Sequence, residues 1–189
     1  MGRLLRADED RMEPSSSSLA LWRDVGGAIA CALLGFIAFA GDQRVPLLGW
    51  IDLAIHESGH VATYVFPDLV TAMMGSIAQV AVPLVIAACF LWRRELLSGM
   101  LCLAWAGTSA RDASVYIGDA PHERLELVGG MHDWAFALGP EGFDALERAA
   151  TVAGVVRIAG LVMVVVAVAG CLARPILLGR LEPSARAGQ

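Results

Sequence analysis

The sequence predicts an all-α fold, a polytopic helical bundle of an integral membrane protein, and three observations carry that expectation. Of the 189 residues, 57% are apolar and 17% charged, and the mean hydropathy is +0.61. A soluble domain of this length cannot bury that much apolar surface. The apolar residues gather into five runs, each near the length of about 20 residues that a helix needs to cross the hydrocarbon core. A helix suits that setting because lipid leaves every unpaired backbone group unsatisfied.

Taken in order, the runs extend from about Val25 to Ala40, Val45 to Phe66, Leu69 to Trp92, Leu96 to Ile117 and Thr151 to Ala173. Residues 1–23 carry four arginines, the acidic Asp8-Glu9-Asp10 and the serines Ser15 to Ser18, and read as a flexible polar leader. The first run ends in Ala38-Phe39-Ala40 before Gly41, the small-x-small pattern of a cleaved secretory signal. The leader is long for such a signal, which favours an uncleaved anchor. Residues 24–175 then form the membrane domain, with 118–150 as a non-cytoplasmic loop, and 176–189 form a polar C-terminal tail.

The charges exclude one broad class of function. All 14 cations are arginine, against 19 acids, for a net charge of −5, so no basic patch is available to grip nucleic acid. Arginine without lysine points to a GC-rich bacterial genome, and with it the bacterial cytoplasmic (inner) membrane. Cys31, Cys89, Cys102 and Cys171 lie in apolar runs with no CxxC pair; they read as packing residues, giving neither a disulfide framework nor a cysteine zinc site.

Arginine placement also bears on topology. If all five runs cross, the loop arginines divide six against six and define no orientation. If the second run enters and leaves on one face, Arg3, Arg6, Arg11, Arg23, Arg93, Arg94, Arg174, Arg180 and Arg186 share a side, against Arg44, Arg124 and Arg148. Nine against three is the asymmetry that a membrane topology should show. The expected bundle therefore has four or five spans, with four full crossings preferred, both termini cytoplasmic and the second segment re-entrant or partly inserted.

That segment holds Asp52-Leu53-Ala54-Ile55-His56-Glu57-Ser58-Gly59-His60-Val61-Ala62-Thr63-Tyr64, which contains an HExxH motif. On a helix, residues four apart lie about 40° from each other, so His56 and His60 share a face with Asp52 one turn before and Tyr64 one turn after. Two such imidazoles can reach one metal ion. Glu57, about 100° round, stands beside the ion, where it can serve as a general base toward an activated water. With four His and nine Glu, the motif arises by chance in about 0.4% of such chains. Ionisable groups in an apolar run each cost a few kcal/mol unless compensated. The alternatives are residues paired among themselves in a wet helix interface, an interfacial helix with its polar face in water, or haem with His56 or His60 as axial ligand.

A catalytic zinc takes three protein ligands and keeps a position for water. The remaining histidines, His122 and His132, both lie in the 118–150 loop. So does Gly129-Gly130-Met131-His132-Asp133-Trp134, followed by Ala135-Phe136-Ala137-Leu138 and Gly139-Pro140, which reads as a glycine hinge, a short helix and a stop. The candidates for third ligand rank Asp133, then His132, then Asp119. In the fourth run Asp112, Tyr116 and Asp119 share a face. They read either as groups that orient the histidines through their other ring nitrogen, with Tyr116 or Arg111 available to stabilise an oxyanion, or, for Asp112, as half of a buried pair with Arg111.

His56, Glu57 and His60, with Gly59 before the second histidine, resemble the site-2 protease group of membrane metalloproteases. The small-residue third span, Met74-Gly75-Ser76 to Pro83, is similar in character, and Asp133 precedes the final span as the later aspartate does in smaller members. The Asn-x-x-Pro…Leu-Asp-Gly segment of the group is absent. The resemblance implies Zn2+ on His56, His60 and Asp133, Glu57 as the catalytic base, and a membrane-protein or peptide substrate cleaved at the bilayer. Residues alone imply only a metal-activated water. A metal-dependent hydrolase of lipid or a small amphiphile, and a non-catalytic membrane subunit with haem-binding or paired histidines, stand as alternatives. Oligomeric state is not legible.

Overall fold

A computed structural model of the protein describes residues 16–127 and 131–181, with side chains for 18–127 and 131–173. Among the described residues six α-helices follow one another: α1 Ser16–Gly35, α2 Leu48–Thr63, α3 Asp68–Trp92, α4 Leu96–Asp119, α5 Asp133–Leu138 and α6 Ala149–Leu181. A π-helical turn, Phe36–Ala40, extends α1, and a 3-10 turn, Leu146–Arg148, leads into α6. Among the described residues there is no strand. Three stretches, Ser18–Ala40, Asp68–Trp92 and Leu146–Ala173, are long and apolar enough to cross a membrane.

Two expected boundaries move. Helix α1 opens at Ser16, inside the stretch expected to be a flexible leader, because Leu19, Ala20, Leu21 and Trp22 continue the apolar run and Arg23 pairs with its neighbour Asp24 at 3.6 Å. At the other end the backbone of α6 stays helical to Leu181, so 176–181 belong to the helix and not to the tail. Residues 1–15, the Gly129-Gly130 hinge and residues 182–189 lie outside the described residues.

Helix α4 is the centre of the bundle, enclosed by α1, α3 and α6. Its buried residues run from Gly99 to Ile117 and include Thr108, Ser109, Arg111, Asp112 and Ser114. Such a helix scores poorly for hydropathy because its polar groups find partners inside the protein: Arg111 Nη1 donates to Asp112 at 3.0 Å and Ser114 to the Arg111 carbonyl at 2.6 Å. Small residues let α4 and α6 close on each other. A Cβ at Gly107 would stand 2.6 Å from the Gly160 carbonyl oxygen, and one at Gly160 equally close to that of Gly107. Ala28, Cys31, Met100, Ala104, Ala167 and Cys171 join α1, α4 and α6 in one core, so two cysteines do pack as expected. The outward faces stay apolar, with Val155, Ile158, Val162 and Val165 of α6 all exposed.

Helix α2 differs from these. Its 16 residues span about 24 Å at about 1.5 Å per residue, short of a hydrocarbon core of about 30 Å. It starts from a γ-turn at Leu47, φ 67° and ψ −51°, in which the Leu48 N–H donates to the Pro46 carbonyl at 2.8 Å. It lies along α3, and Gly59 makes the approach possible: a Cβ there would stand 2.6 Å from the Met74 carbonyl oxygen. The short α5 docks on α3 through Trp134 Nε1, which donates to Ser76 Oγ at 2.9 Å, while Ala137 and Leu138 join Ile117, Ala120 and Ala149 in a second core.

Candidate metal centre

The HExxH helix turns His56, His60 and Asp52 toward the protein and leaves Trp50 and Val61 exposed; Tyr64, expected on the histidine face, lies just past the helix end and is exposed rather than part of the site. His56 Nε2 lies 3.1 Å and His60 Nε2 3.2 Å from the same atom, Asp133 Oδ2. These three ligand atoms all fall within 4.8 Å of one another. Of the three candidates for a third ligand, Asp133 is the one brought to both imidazoles. They line a cavity of about 850 Å³ that Glu57 also lines. Among the described residues, no hydrogen bond or ion pair ties Glu57 to a neighbour, and it is half-buried beside the cluster.

The remaining nitrogens of the rings assign the tautomers from the hydrogen-bond network. His60 Nδ1 donates to the Thr71 carbonyl at 2.8 Å. Gln79 Nε2 donates to the Ser109 carbonyl at 3.3 Å, which turns Gln79 Oε1 toward His56 Nδ1, also at 3.3 Å. Both Nδ1 atoms therefore carry protons. In neutral rings both Nε2 lone pairs then face a carboxylate oxygen, three acceptors aimed at one another with no donor among them. Such an arrangement could hold a metal ion. Gly75 of α3 keeps the place clear, since a Cβ there would stand 2.6 Å from His56 Nε2 and 2.6 Å from His60 Nε2. By this test the residues fit a bound metal.

The other expected site residues are placed elsewhere. Asp52 is buried and accepts from Trp105 Nε1 at 2.8 Å and Ser109 Oγ at 2.9 Å, fastening α2 to α4. Asp112 pairs with Arg111 at 3.0 Å, as the buried-pair reading expects. Asp119 accepts the Arg124 and Leu125 N–H groups, both at 2.9 Å, and organises the turn after α4. His132 Nδ1 caps α5 by accepting the Ala135 N–H at 3.2 Å, leaving Nε2 facing Asp119 Oδ2 at 3.6 Å. His122 is exposed on the turn after α4. Tyr116 alone of the α4 trio reaches the cluster: its hydroxyl lies 3.2 Å from Asp133 Oδ2.

Of the two readings left open for Asp112, Tyr116 and Asp119, the one that orients the histidines through their other ring nitrogens finds no hydrogen bond here, because groups of α3 face both Nδ1 atoms. Sequence reasoning missed Thr71 and Gln79 of that helix, and noted Gly75 only as one of the small residues of the span. A signal existed: the three follow i, i+4, i+8 spacing and make a small and polar stripe in an otherwise apolar span. Beyond the cluster, the Arg111 guanidinium binds Asp42 in the loop after α1 and holds its carboxyl below the usual carboxylate range, with Arg157 adding to the effect.

Fold and site together define an all-helical protein with helices fit for a membrane and a His/His/Asp cluster of metal-binding geometry. No protein-family model, no curated protein and no solved structure matches the chain.

Proposed function

We propose that this protein is a membrane-embedded zinc metallopeptidase of the site-2 protease kind, hydrolysing peptide bonds of membrane-protein or peptide substrates at the bilayer. The observation that carries the reading is the convergence of His56 Nε2, His60 Nε2 and Asp133 Oδ2 in a cavity that Glu57 shares. His56, His60 and Asp133 would hold the ion, and a zinc there supplies the Lewis acidity that makes water nucleophilic near neutral pH. Glu57 takes the proton of the attacking water on its carboxylate and passes it to the leaving amine. Gln79 and the Thr71 carbonyl hold the imidazoles in the tautomer that offers Nε2 to the cavity.

The finer topology belongs to the same proposal. Helices α1, α3, α4 and α6 cross the bilayer, α4 being screened from lipid by its neighbours, and α2 inserts only partway because of its length. Both termini are then cytoplasmic, in a bacterial inner membrane, and the 118–150 loop lies on the opposite side. A reporter fused after Gln189 reads the orientation, and an external signal overturns it.

Metal analysis of the purified chain tests the site. About one zinc per chain is expected, lost in His56→Ala and His60→Ala and kept in Glu57→Gln, while Glu57→Gln abolishes cleavage of transmembrane peptides in proteoliposomes. Two histidines and a carboxylate also suit non-haem iron. The free carboxylate of Glu57 favours hydrolysis, and finding iron in the site would overturn it. A chain isolated without metal would leave the cluster as an ion-pair network of protonated histidines on Asp133.

A further inference from the structure

We infer that Tyr116 is a positioning residue that delivers the third ligand, a role that rests on the metal reading above. Asp133 begins α5, a helix of six residues, too short to be stable alone. The place of its carboxylate therefore depends on what grips it from outside. Tyr116 takes hold of the residue twice through one oxygen. Its hydroxyl accepts the Asp133 N–H at 3.0 Å and donates to Asp133 Oδ2 at 3.2 Å. A hydroxyl has one proton and two lone pairs, so both bonds form together, and they fix the backbone and the carboxylate of the same residue.

The oxygen that Tyr116 binds is the one facing both Nε2 atoms, so the phenol selects which carboxylate oxygen points at the centre. Tyr116 is itself held firmly. It sits on the enclosed α4, and its ring stacks on His132 with centroids 4.3 Å apart and planes 29° apart. His132 in turn caps α5. A second edge contact reaches the His56 ring at 5.8 Å. One tyrosine thus couples the innermost helix, the cap of α5 and the proposed ligand carboxylate.

The test uses the full chain in nanodiscs, with Zn2+ affinity measured against a chelating dye and Co2+ as a spectroscopic probe of the ligand field. Tyr116→Phe keeps the ring stack and removes both hydrogen bonds. It should weaken Zn2+ binding about 10- to 100-fold and change the visible Co2+ bands. If the wild-type chain binds metal while Tyr116→Phe binds it equally well with an unchanged Co2+ spectrum, Tyr116 is only a packing residue and the inference fails. If Tyr116→Phe does not fold, Tyr64→Phe serves, because the chain has two tyrosines and this variant retains Tyr116 alone. Its tyrosine hydrogen-bond marker in ultraviolet resonance Raman should shift on Zn2+ addition, and a marker unmoved by bound metal overturns the inference. A wild-type chain that binds neither ion removes the metal reading and this role with it.

Discussion

Gly75 of α3 stands so close to His56 of α2 that a Cβ on it would come within 2.6 Å of Nε2. The same missing methyl serves His60, so one glycine leaves room for both imidazoles to converge. Gly75→Ala should displace both rings. Overpacking of this kind costs about 1–3 kcal/mol, and Zn2+ affinity should fall at least about tenfold, as when a ligand's support is lost. Chelator competition reads the affinity, and thermal unfolding of the metal-free chain reads the packing cost. An alanine variant of undiminished affinity would show that the rings do not meet at this place.

Gln79 acts on the site through His56. Gln79→Leu removes the acceptor of the Nδ1 proton, and metal affinity should drop about 10- to 100-fold. Gln79→Glu keeps an acceptor for Nδ1 but loses the donor to the Ser109 carbonyl, and its affinity should fall less than that of the leucine variant. The order of the two variants by zinc competition is the check, since a purely steric role for Gln79 would leave them alike.

Asp52 lies one turn before His56, yet its partners are Trp105 and Ser109. Asp52→Leu leaves the Trp105 indole N–H without its acceptor, while the Ser109 hydroxyl still has the Trp105 carbonyl at 3.0 Å, and should cost on the order of 1–3 kcal/mol. Asp52→Asn keeps an oxygen for them and should cost less. Metal stoichiometry should be unchanged in both folded variants. Loss of metal in Asp52→Asn would return this residue to the site.

The loop after α1 is fastened by Asp42 on Arg111, with Arg157 alongside. The folded carboxyl titrates below its ordinary value of 3.8, so its contribution is fully present above that pH and is lost as the pH falls through the lower folded value. Asp42→Asn should melt below the wild type at neutral pH, and the gap should close on acidification below about pH 4. Asp42 is solvent-exposed, so the gap should also narrow with added salt. Melting curves at several pH values read both effects.

Much of the framework was legible before folding was considered. Apolar runs outlined every long helix to within a few residues, and failed mainly at Ser16 and Leu181, where local apolar residues carry the helix past the charges that seemed to end it. The HExxH spacing placed His56 and His60 together because four residues on a helix come close to a full turn. The short helix at Asp133 was legible from its glycines and proline. By contrast, the support from Thr71, Gly75 and Gln79 was obscured because a few small or polar residues in an apolar span read as tolerated exceptions.

Composition and local periodicity sufficed for the apolar helices, the shared face of the two histidines and the candidates for a third ligand. Choosing among those candidates took the packing of the helices. Asp133 is 77 positions from His56, and no local rule distinguishes it from His132 beside it. The choice follows from how α5 docks: Trp134 on Ser76, Tyr116 on Asp133 and the His132 cap turn the carboxylate toward the histidines and His132 away from them. Such convergence of distant residues depends on packing, which periodicity does not encode.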